Sequence, residues 1–393
     1  MSVRTLTAVQ YVAESAASAR KGGKGRLIGI DGARALALLG MMTVHILPSE
    51  NADGSLAWHF PLAGGKSSAL FAVLAGVGLA LANGRETPLS GRTWLAGGAG
   101  IWGRALLLGA IGLFLGELGT QVAVILVHYA LLFALGAAFL GLRRQWLVGL
   151  AALWAVGAPV LSHLLRSGGS QPGAQVPGFD SLLDPIAMMG DLFLTGYYPV
   201  FTWITYLLAG LAIGRSDLHA ARTPWVLTGL GAALALGSWL TSALIMGPLG
   251  GEGVIGAPSS YYSGTTPTIS WWYLAIPSPH SGSPIDLIHT TGTAMAVIGL
   301  CLLVARAGKW ALAWLAGAGG MTLSLYTGHV VALGSELGLD NRRALFVWHA
   351  AGAVLIGAAW RYWVGRGPLE TLSANISGAF RAGLESPANP RAG

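Results

Sequence analysis

The chain has few charged residues, and this shortage is its most informative property. Only 10% of its 393 residues are Asp, Glu, Lys or Arg, whereas 53% are hydrophobic, and the mean hydropathy is +0.61. Soluble domains carry about 25% charged residues. The composition therefore excludes an ordinary soluble domain and predicts an integral membrane protein, with the lipid bilayer as its main partner.

Cysteine and the common catalytic motifs are also scarce. The single cysteine, Cys301, lies in an apolar run, which excludes an intrachain disulfide and a cysteine-based metal site. The chain has no P-loop, no HExxH zinc motif and no GxSxG nucleophile elbow, so an ATPase, a zinc protease and a serine hydrolase have no support. No basic run is dense enough to follow a phosphate backbone. We therefore expect neither a bound metal nor a nucleic-acid partner.

Repeated long apolar runs predict an all-α fold, a multi-pass membrane helical bundle of about ten transmembrane helices. When the N-terminus is placed in the cytoplasm, most Lys and Arg residues fall in inner segments, so both termini are predicted to be cytoplasmic. The predicted parts are a cytoplasmic N-terminal tail (1–25), a transmembrane domain (26–366) and a cytoplasmic C-terminal tail (367–393). The predicted spans are roughly 27–47, 67–83, 97–116, 119–140, 146–165, 194–214, 225–246, 285–305, 310–332 and 344–364.

The first span is unusual because it contains Asp31, Arg34 and His45. Arg34 and His45 are eleven positions apart, which places them within roughly 20° of one helix face and about 16 Å apart along the axis. A charge at mid-span costs about 2.5–3.5 kcal/mol, so such residues usually face a protein interior or a wet cavity. This face either lines a site, or Asp31 and Arg34 pair at the headgroup boundary and His45 ends the helix.

Two arginines and two histidines are the main candidates for chemistry. Arg34 and Arg104 are predicted to lie in the inner halves of their spans, where they could bind a phosphorylated ligand bidentately or extend toward lipid phosphates. His45 and His59 are predicted at the outer side, where a histidine can act as a general base or form a covalent intermediate. His329, like His128, is interpreted as a core histidine.

The predicted outer loops contain candidate substrate-binding residues. Their aromatic side chains could stack on a sugar ring, although such residues commonly form the interfacial belt of a membrane protein. Asp286 follows the sequence PHSGSP and could cap the next helix or orient a histidine. The candidates for this role are Trp58, Trp271, Trp272, His280 and Asp286.

Two stretches carry a family resemblance. RLIGIDGARALALLGMMTVH followed by WHFPLAGGKSSALFAVLAGVGLAL resembles the heparan-alpha-glucosaminide N-acetyltransferase-like membrane proteins. Shared features are Arg26, Asp31 and Arg34 at the entry of the span, and a histidine in the following loop, here His59, which matches the family's catalytic histidine by position. His45 stands where that branch usually has asparagine. The spacing from Arg34 to His45 is instead similar to that of the acyltransferase type-three membrane family.

The resemblance implies a multi-pass enzyme of the cell membrane that uses acetyl-CoA as co-substrate. An acetyl group would pass from cytoplasmic acyl-CoA to an amine or hydroxyl, of a sugar-like acceptor, on the other side. Arg34 and Arg104, with Asp31 orienting Arg34, would hold the CoA phosphates while the thioester reaches His45 or His59. Whether His45 or His59 is the base, and whether transfer is direct or ping-pong, stay open. A homodimer is compatible with the resemblance, and a small polar-solute transporter or exporter is the alternative function.

Overall fold

The computed structural model describes residues 27–168, 175–335 and 341–385, and within these ranges the chain forms helices joined by loops. The prediction of an all-helical fold is confirmed for this part of the chain. The predicted N-terminal tail and Arg26 lie outside the described residues. The helices are α1 (Ile28–Ile46), α2 (Phe60–Ala63), α3 (Lys66–Ala82), α4 (Gly91–Gly116), α5 (Leu126–Gly136), α6 (Arg144–Arg166), α7 (Pro185–Gly190), α8 (Val200–Gly214), α9 (Arg222–Met246), α10 (Gly251–Ile255), α11 (Pro284–Ala307), α12 (Lys309–Gly319), α13 (Thr322–Gly334), α14 (Arg342–Trp363) and α15 (Pro368–Glu385).

Six helical segments in the described ranges are long and apolar enough to cross a membrane: α2 joined to α3, then α4, α6, α9, α11 and α14. The segment Pro185–Thr195 and α8 meet at 56° and make a seventh span if they count as one. The other predicted spans fall on α1, whose charges lower its hydropathy, on the short α5, and on α12 and α13, which are separated by Gly320 and Met321. The membrane bundle is thus supported, while ten spans and cytoplasmic termini stay predictions.

Glycine allows the helices to pack closely, as the glycine-rich composition suggests. At the contact between α9 and α11, a Cβ added to Gly292 would lie 2.7 Å from the backbone nitrogen of Ala235 and 2.7 Å from the carbonyl oxygen of Gly231. Real side chains do not tolerate such distances, so these backbones touch only because the side chains are absent. Within a bilayer, such close packing replaces the hydrophobic effect as the force that joins helices.

Helix α1 lies inside the bundle and contacts α3, α11, α12, α13 and α14. A Cβ added to Gly29 would lie 2.8 Å from the Cα of Leu302, so α11 also packs closely on the start of α1. Because helices surround α1, its charged side chains face protein, as their cost in lipid requires.

Helix α15 belongs to the bundle, although its residues fall in the segment that the sequence predicts as a C-terminal tail. The chain turns at Gly365, whose φ is +103°, and α15 then packs against α4. The Glu370 carboxylate accepts hydrogen bonds from the backbone N–H groups of Leu323 (2.7 Å) and Ser324 (3.2 Å). These two donors belong to the first turn of α13 and have no partner within the helix. Glu370 thus fixes α15 to the start of α13.

Candidate active site

A cavity of about 700 Å³ lies between α1, α3, α4, α5, α13 and α15. Along α1 it extends from Leu27, past Arg34, to Met41. We call the end near Leu27 the Arg34 end of the bundle and the opposite end the His45 end. Most of the lining is apolar, and the charged residues that line it are Asp31, Arg34, Arg85, Arg104, Arg366, Glu370 and Arg381. Five arginines against two carboxylates make this cavity attractive to an anion.

The structure brings Arg34, Arg104 and Asp31 together in this cavity, as the first span and the third predicted span suggested. Arg34 Nη1 lies 3.4 Å from Oδ1 of Asp31, and Arg361 Nη1 lies 3.7 Å from Oδ2 of the same carboxylate. Asp31 is buried, so two cations offset the cost of removing its charge from water. The pair that the sequence suggested does form, and it lies in the wall of the cavity.

Arg104 has an incomplete set of partners. Its guanidinium carbon lies 4.9 Å from the centroid of the Phe133 ring, an arrangement that favours a cation. Its Nε is buried and has no hydrogen-bond acceptor among the described residues. Buried donors in folded proteins usually have a partner, and an anionic ligand in the cavity would supply one.

Sequence reasoning missed three arginines of the lining, Arg85, Arg366 and Arg381. Arg381 Nη2 donates to Oδ1 of Asn83 at 2.5 Å, which fixes α15 near the end of α3. Arg215 Nη1 donates to the carbonyl oxygen of Arg85 at 2.7 Å and so holds the turn that follows α3. These residues lie at helix ends, where basic residues are commonplace. For Arg381, the sequence feature that could have indicated its place is the amphipathic pattern of α15, because the polar side of that helix must face water or a polar cavity.

The cavity ends one side chain short of His45. Arg34, Met41 and His45 follow one another along a single face of α1, but His45 does not line the cavity. Met41, Ile125 and Tyr326 close it. The ring centroids of Tyr326 and His45 are 6.3 Å apart, and the Tyr326 hydroxyl is buried without a hydrogen-bond partner in the described part of the chain.

His45 is hydrogen-bonded to a second histidine. Its Nδ1 lies 3.2 Å from Nε2 of His329 on α13, and the planes of the two rings are within 12° of parallel, with 5.4 Å between centroids. Nδ1 of His329 in turn lies 2.8 Å from Nδ1 of His349 on α14. His329 is therefore in the core, as its interpretation proposed, but its partners are other histidines. Because these partners use different nitrogens of His329, the three rings do not converge on a point where a metal would bind.

His59 has a different environment from His45. It directly precedes α2 and is half-buried, and its Nε2 is buried without a partner among the described residues. Its ring lies 5.8 Å from that of Trp58, a residue that is 79% exposed. Neither residue lines the cavity.

The other predicted substrate-binding residues lie in separate places. Trp271 and Trp272 begin a short helical turn and line a separate pocket of about 370 Å³. His280, in the loop before α11, stacks on Trp203 with 6.4 Å between ring centroids. Burial lowers the pKa of His280 to about 4, so its ring is neutral near pH 7. Asp286 Oδ2 accepts a hydrogen bond from the backbone N–H of Gly282 at 3.1 Å.

A further cavity of about 470 Å³ lies between α6, α8, α9 and α11. Its lining is almost entirely apolar, with Arg144 as the charged residue. Arg144 lies outside the arginine-lined cavity, so a variant of this residue can serve as a control for variants of the cavity arginines.

The fold and the cavity define a class. The protein is a multi-helix membrane protein with an anion-attracting cavity, and this cavity stops next to paired histidines. Such a cavity is suited to binding an elongated anionic ligand.

Comparison with protein families shows which family the chain belongs to. The family model described as heparan-alpha-glucosaminide N-acetyltransferase, catalytic, matches residues 26–241, more than half of the chain. The chain belongs to this family and is, on that ground, a membrane acetyltransferase. No curated protein matches the chain. The match includes α1, α3, α4 and α5, whereas Tyr326, His329, Glu370 and Arg381 lie beyond it.

Proposed function

We propose that the protein transfers an acetyl or short acyl group from acyl-CoA to an amine or hydroxyl of a sugar-like acceptor. The observation that carries this proposal is the cavity that extends from five arginines to Tyr326, with His45 directly behind. The phosphates of CoA are charged at neutral pH, and arginine binds phosphate oxygens bidentately. Arg34 and Arg104 are assigned to phosphate binding, with Asp31 as the residue that orients Arg34.

The length of α1 supports the same assignment. Arg34 and His45 are eleven positions apart, which corresponds to about 16 Å of helix. An extended pantetheine arm spans a comparable distance, so phosphates held near Arg34 place the thioester near Met41 and Tyr326. The unpaired Tyr326 hydroxyl is then available to donate a hydrogen bond to the thioester oxygen as negative charge develops there.

His45 is proposed as the general base. It removes a proton from the N–H or O–H group of the acceptor, whose nitrogen or oxygen attacks the thioester carbonyl, and the CoA thiolate leaves. His59 is the other candidate, because its buried Nε2 has no partner among the described residues and is free to accept a proton. Trp58, Trp271, Trp272, His280 and Asp286 are proposed to contact the acceptor at the His45 end, although they do not form one pocket.

The remaining proposals concern the setting of the reaction. The enzyme is proposed to lie in the cell membrane with the Arg34 end in the cytoplasm, so that acyl-CoA enters from inside and the acceptor from outside. A homodimer is part of the same proposal. The alternative function, export of a small polar solute, would use the cavity as a permeation path.

Acetyl-CoA turnover tests the proposal directly. Purified protein in detergent is incubated with radiolabelled acetyl-CoA and with glucosamine or glucose as acceptor probes, and CoA release and acetylated products are measured. We expect CoA release by the native protein and its loss when His45→Ala and His59→Ala are combined. Full activity of the double variant would rule out a histidine base at this end. Solute flux in proteoliposomes without CoA release would favour the transporter.

A further inference from the structure

Three imidazole rings form a continuous chain at the His45 end. His45 on α1, His329 on α13 and His349 on α14 are joined by contacts of 3.2 and 2.8 Å between ring nitrogens. His45 lies 284 positions before His329, whereas His329 and His349 belong to successive helices, so the row of three rings exists only in the folded bundle. His329 is buried, and His349 is half-buried on the outermost helix of the three.

The hydrogen bonds restrict which nitrogens carry protons. A neutral imidazole has one N–H donor and one lone pair, and both nitrogens of His329 contact another imidazole. His329 therefore donates to one neighbour and accepts from the other. In one of the two allowed directions, His45 Nδ1–H donates to His329, and His329 Nδ1–H donates to His349. His45 Nε2 then carries a lone pair, and His349 Nε2 carries a hydrogen.

The row of three histidines has few charged neighbours. On α13, Tyr326 faces His45, and at the start of α14, Arg342 Nη1 lies 3.5 Å from the carbonyl oxygen of Ile46, next to His45. Asp31 and Arg361 pair at the other ends of α1 and α14. In the described part of the chain, no carboxylate forms an ion pair with any of the three histidines. A proton placed on the three histidines therefore has no fixed counter-charge and is free to move from one ring to the next.

We propose that the three histidines form a proton relay, in which His329 and His349 serve the acyl transfer through His45. This inference rests on the proposed function. When the acceptor forms its bond to the acyl carbon, its proton moves to His45 Nε2. The Nδ1 proton of His45 moves to His329 Nε2, the Nδ1 proton of His329 moves to His349 Nδ1, and the Nε2 proton of His349 passes to water.

The relay returns to its starting state by the reverse sequence. The carbon–sulfur bond breaks and leaves a thiolate on CoA. A proton from water enters at His349 Nε2, and His45 Nε2 gives a proton to the thiolate sulfur. One proton leaves the acceptor and one reaches CoA, so the products are the acylated acceptor and the CoA thiol. His329 and His349 are positioning and relay residues and need not contact either substrate.

His349→Gln tests the relay because glutamine preserves polarity but cannot exchange protons at two ring nitrogens. His289→Gln is the matched control. His289 is also half-buried on a long helix, and its Nδ1 lies 2.9 Å from the carbonyl oxygen of Ala235. Two measurements are made on purified protein in detergent: nitrogen-15 NMR of labelled histidines, and CoA release with acetyl-CoA and glucosamine over pH 5 to 9.

We expect His349→Gln to move the nitrogen resonances of both His329 and His45, whereas His289→Gln leaves them in place. We also expect kcat to fall about tenfold or more with KM for acetyl-CoA unchanged, since proton transfer contributes about 10²–10⁴-fold in enzymes. Added imidazole should restore part of the rate, and the solvent deuterium isotope effect should increase.

Some results would overturn the relay while leaving the proposed function intact. These are unmoved His45 resonances, kcat within twofold of the native value, or an equal loss of kcat in His289→Gln. Failure of the proposed function gives a different result, because the native protein would then release no CoA. Coupled resonances without CoA release would reject acyl transfer and with it the relay's role.

Discussion

The two ends of α1 solve the problem of polar groups inside a membrane bundle in different ways. At the Arg34 end the groups are permanently charged, and the protein surrounds them with an ion pair, a cation–π contact and an open cavity. At the His45 end the groups can be neutral, and they pack against one another and do not line the cavity. On the proposed function, the fixed charges of the Arg34 end bind the cosubstrate, whereas the titratable rings of the His45 end exchange protons.

The largest expected effect is the loss of the general base, and it shows whether His45 or His59 has that role. We expect His45→Gln to lower kcat for CoA release by about 10²–10⁴-fold, the usual contribution of a general base. KM for acetyl-CoA should be nearly unchanged, because His45 lies beyond the cavity. Steady-state kinetics of His45→Gln and His59→Gln, measured in parallel, provide the test. A larger loss of kcat in His59→Gln than in His45→Gln would transfer the base to His59.

The next effect concerns the Arg34 end. The double variant Arg34→Gln, Arg104→Gln removes two groups assigned to phosphate binding. Each hydrogen bond to a charged group contributes about 1.5–3 kcal/mol, so KM for acetyl-CoA should increase about 100-fold or more. Isothermal titration with CoA measures the same loss without turnover.

Arg144→Gln is the control for this double variant. Arg144 is an exposed arginine on the other, apolar cavity, and its loss should leave the affinity for CoA within twofold. Unchanged CoA affinity in the Arg34 and Arg104 double variant would show that the arginine-lined cavity does not bind the cosubstrate.

Sequence reasoning predicted the Arg34 end better than the His45 end. The helical face that carries Asp31, Arg34 and His45 follows from the helix period, and a buried charge restricts what can surround it. Arg104 was found because it lies in the middle of an apolar run. Spacing within one helix thus predicted which residues of α1 share a face.

Contacts between distant helices could not be predicted in this way. His329 and His349 lie in ordinary apolar helices, and their pairing with His45 depends on how α13 and α14 pack on α1. The same holds for Arg381, which reaches the cavity because α15 turns back at Gly365 after the last membrane helix. The loop aromatics appeared alike in sequence, yet Trp58 and Trp271 lie in different places because separate loops hold them.

A smaller effect tests whether Arg34 must keep its position. A Cβ added to Gly78 on α3 would lie 3.0 Å from Arg34 Nη2, so Gly78→Ala should displace the guanidinium by a few tenths of an ångström. We expect KM for acetyl-CoA to increase about tenfold with kcat nearly unchanged, since a charge-assisted contact depends on geometry. Gly149→Ala on α6 is the control, because a Cβ there has no neighbour within 4 Å. Equal kinetics in the two variants would mean that Arg34 tolerates displacement.

The smallest effect examines whether the His45 end contacts the acceptor through its exposed aromatics. Trp58 is 79% exposed and lies against His59, so a sugar ring bound near His59 could stack on it. Such a contact is worth about 0.5–1.5 kcal/mol, and Trp58→Ala should therefore raise KM for the acceptor about threefold. Trp225→Ala on α9, 67% exposed, is the control for a tryptophan of the interfacial belt. If both variants leave acceptor KM unchanged, Trp58 is also a belt residue, and recognition of the acceptor must come from half-buried groups such as His59 and His280.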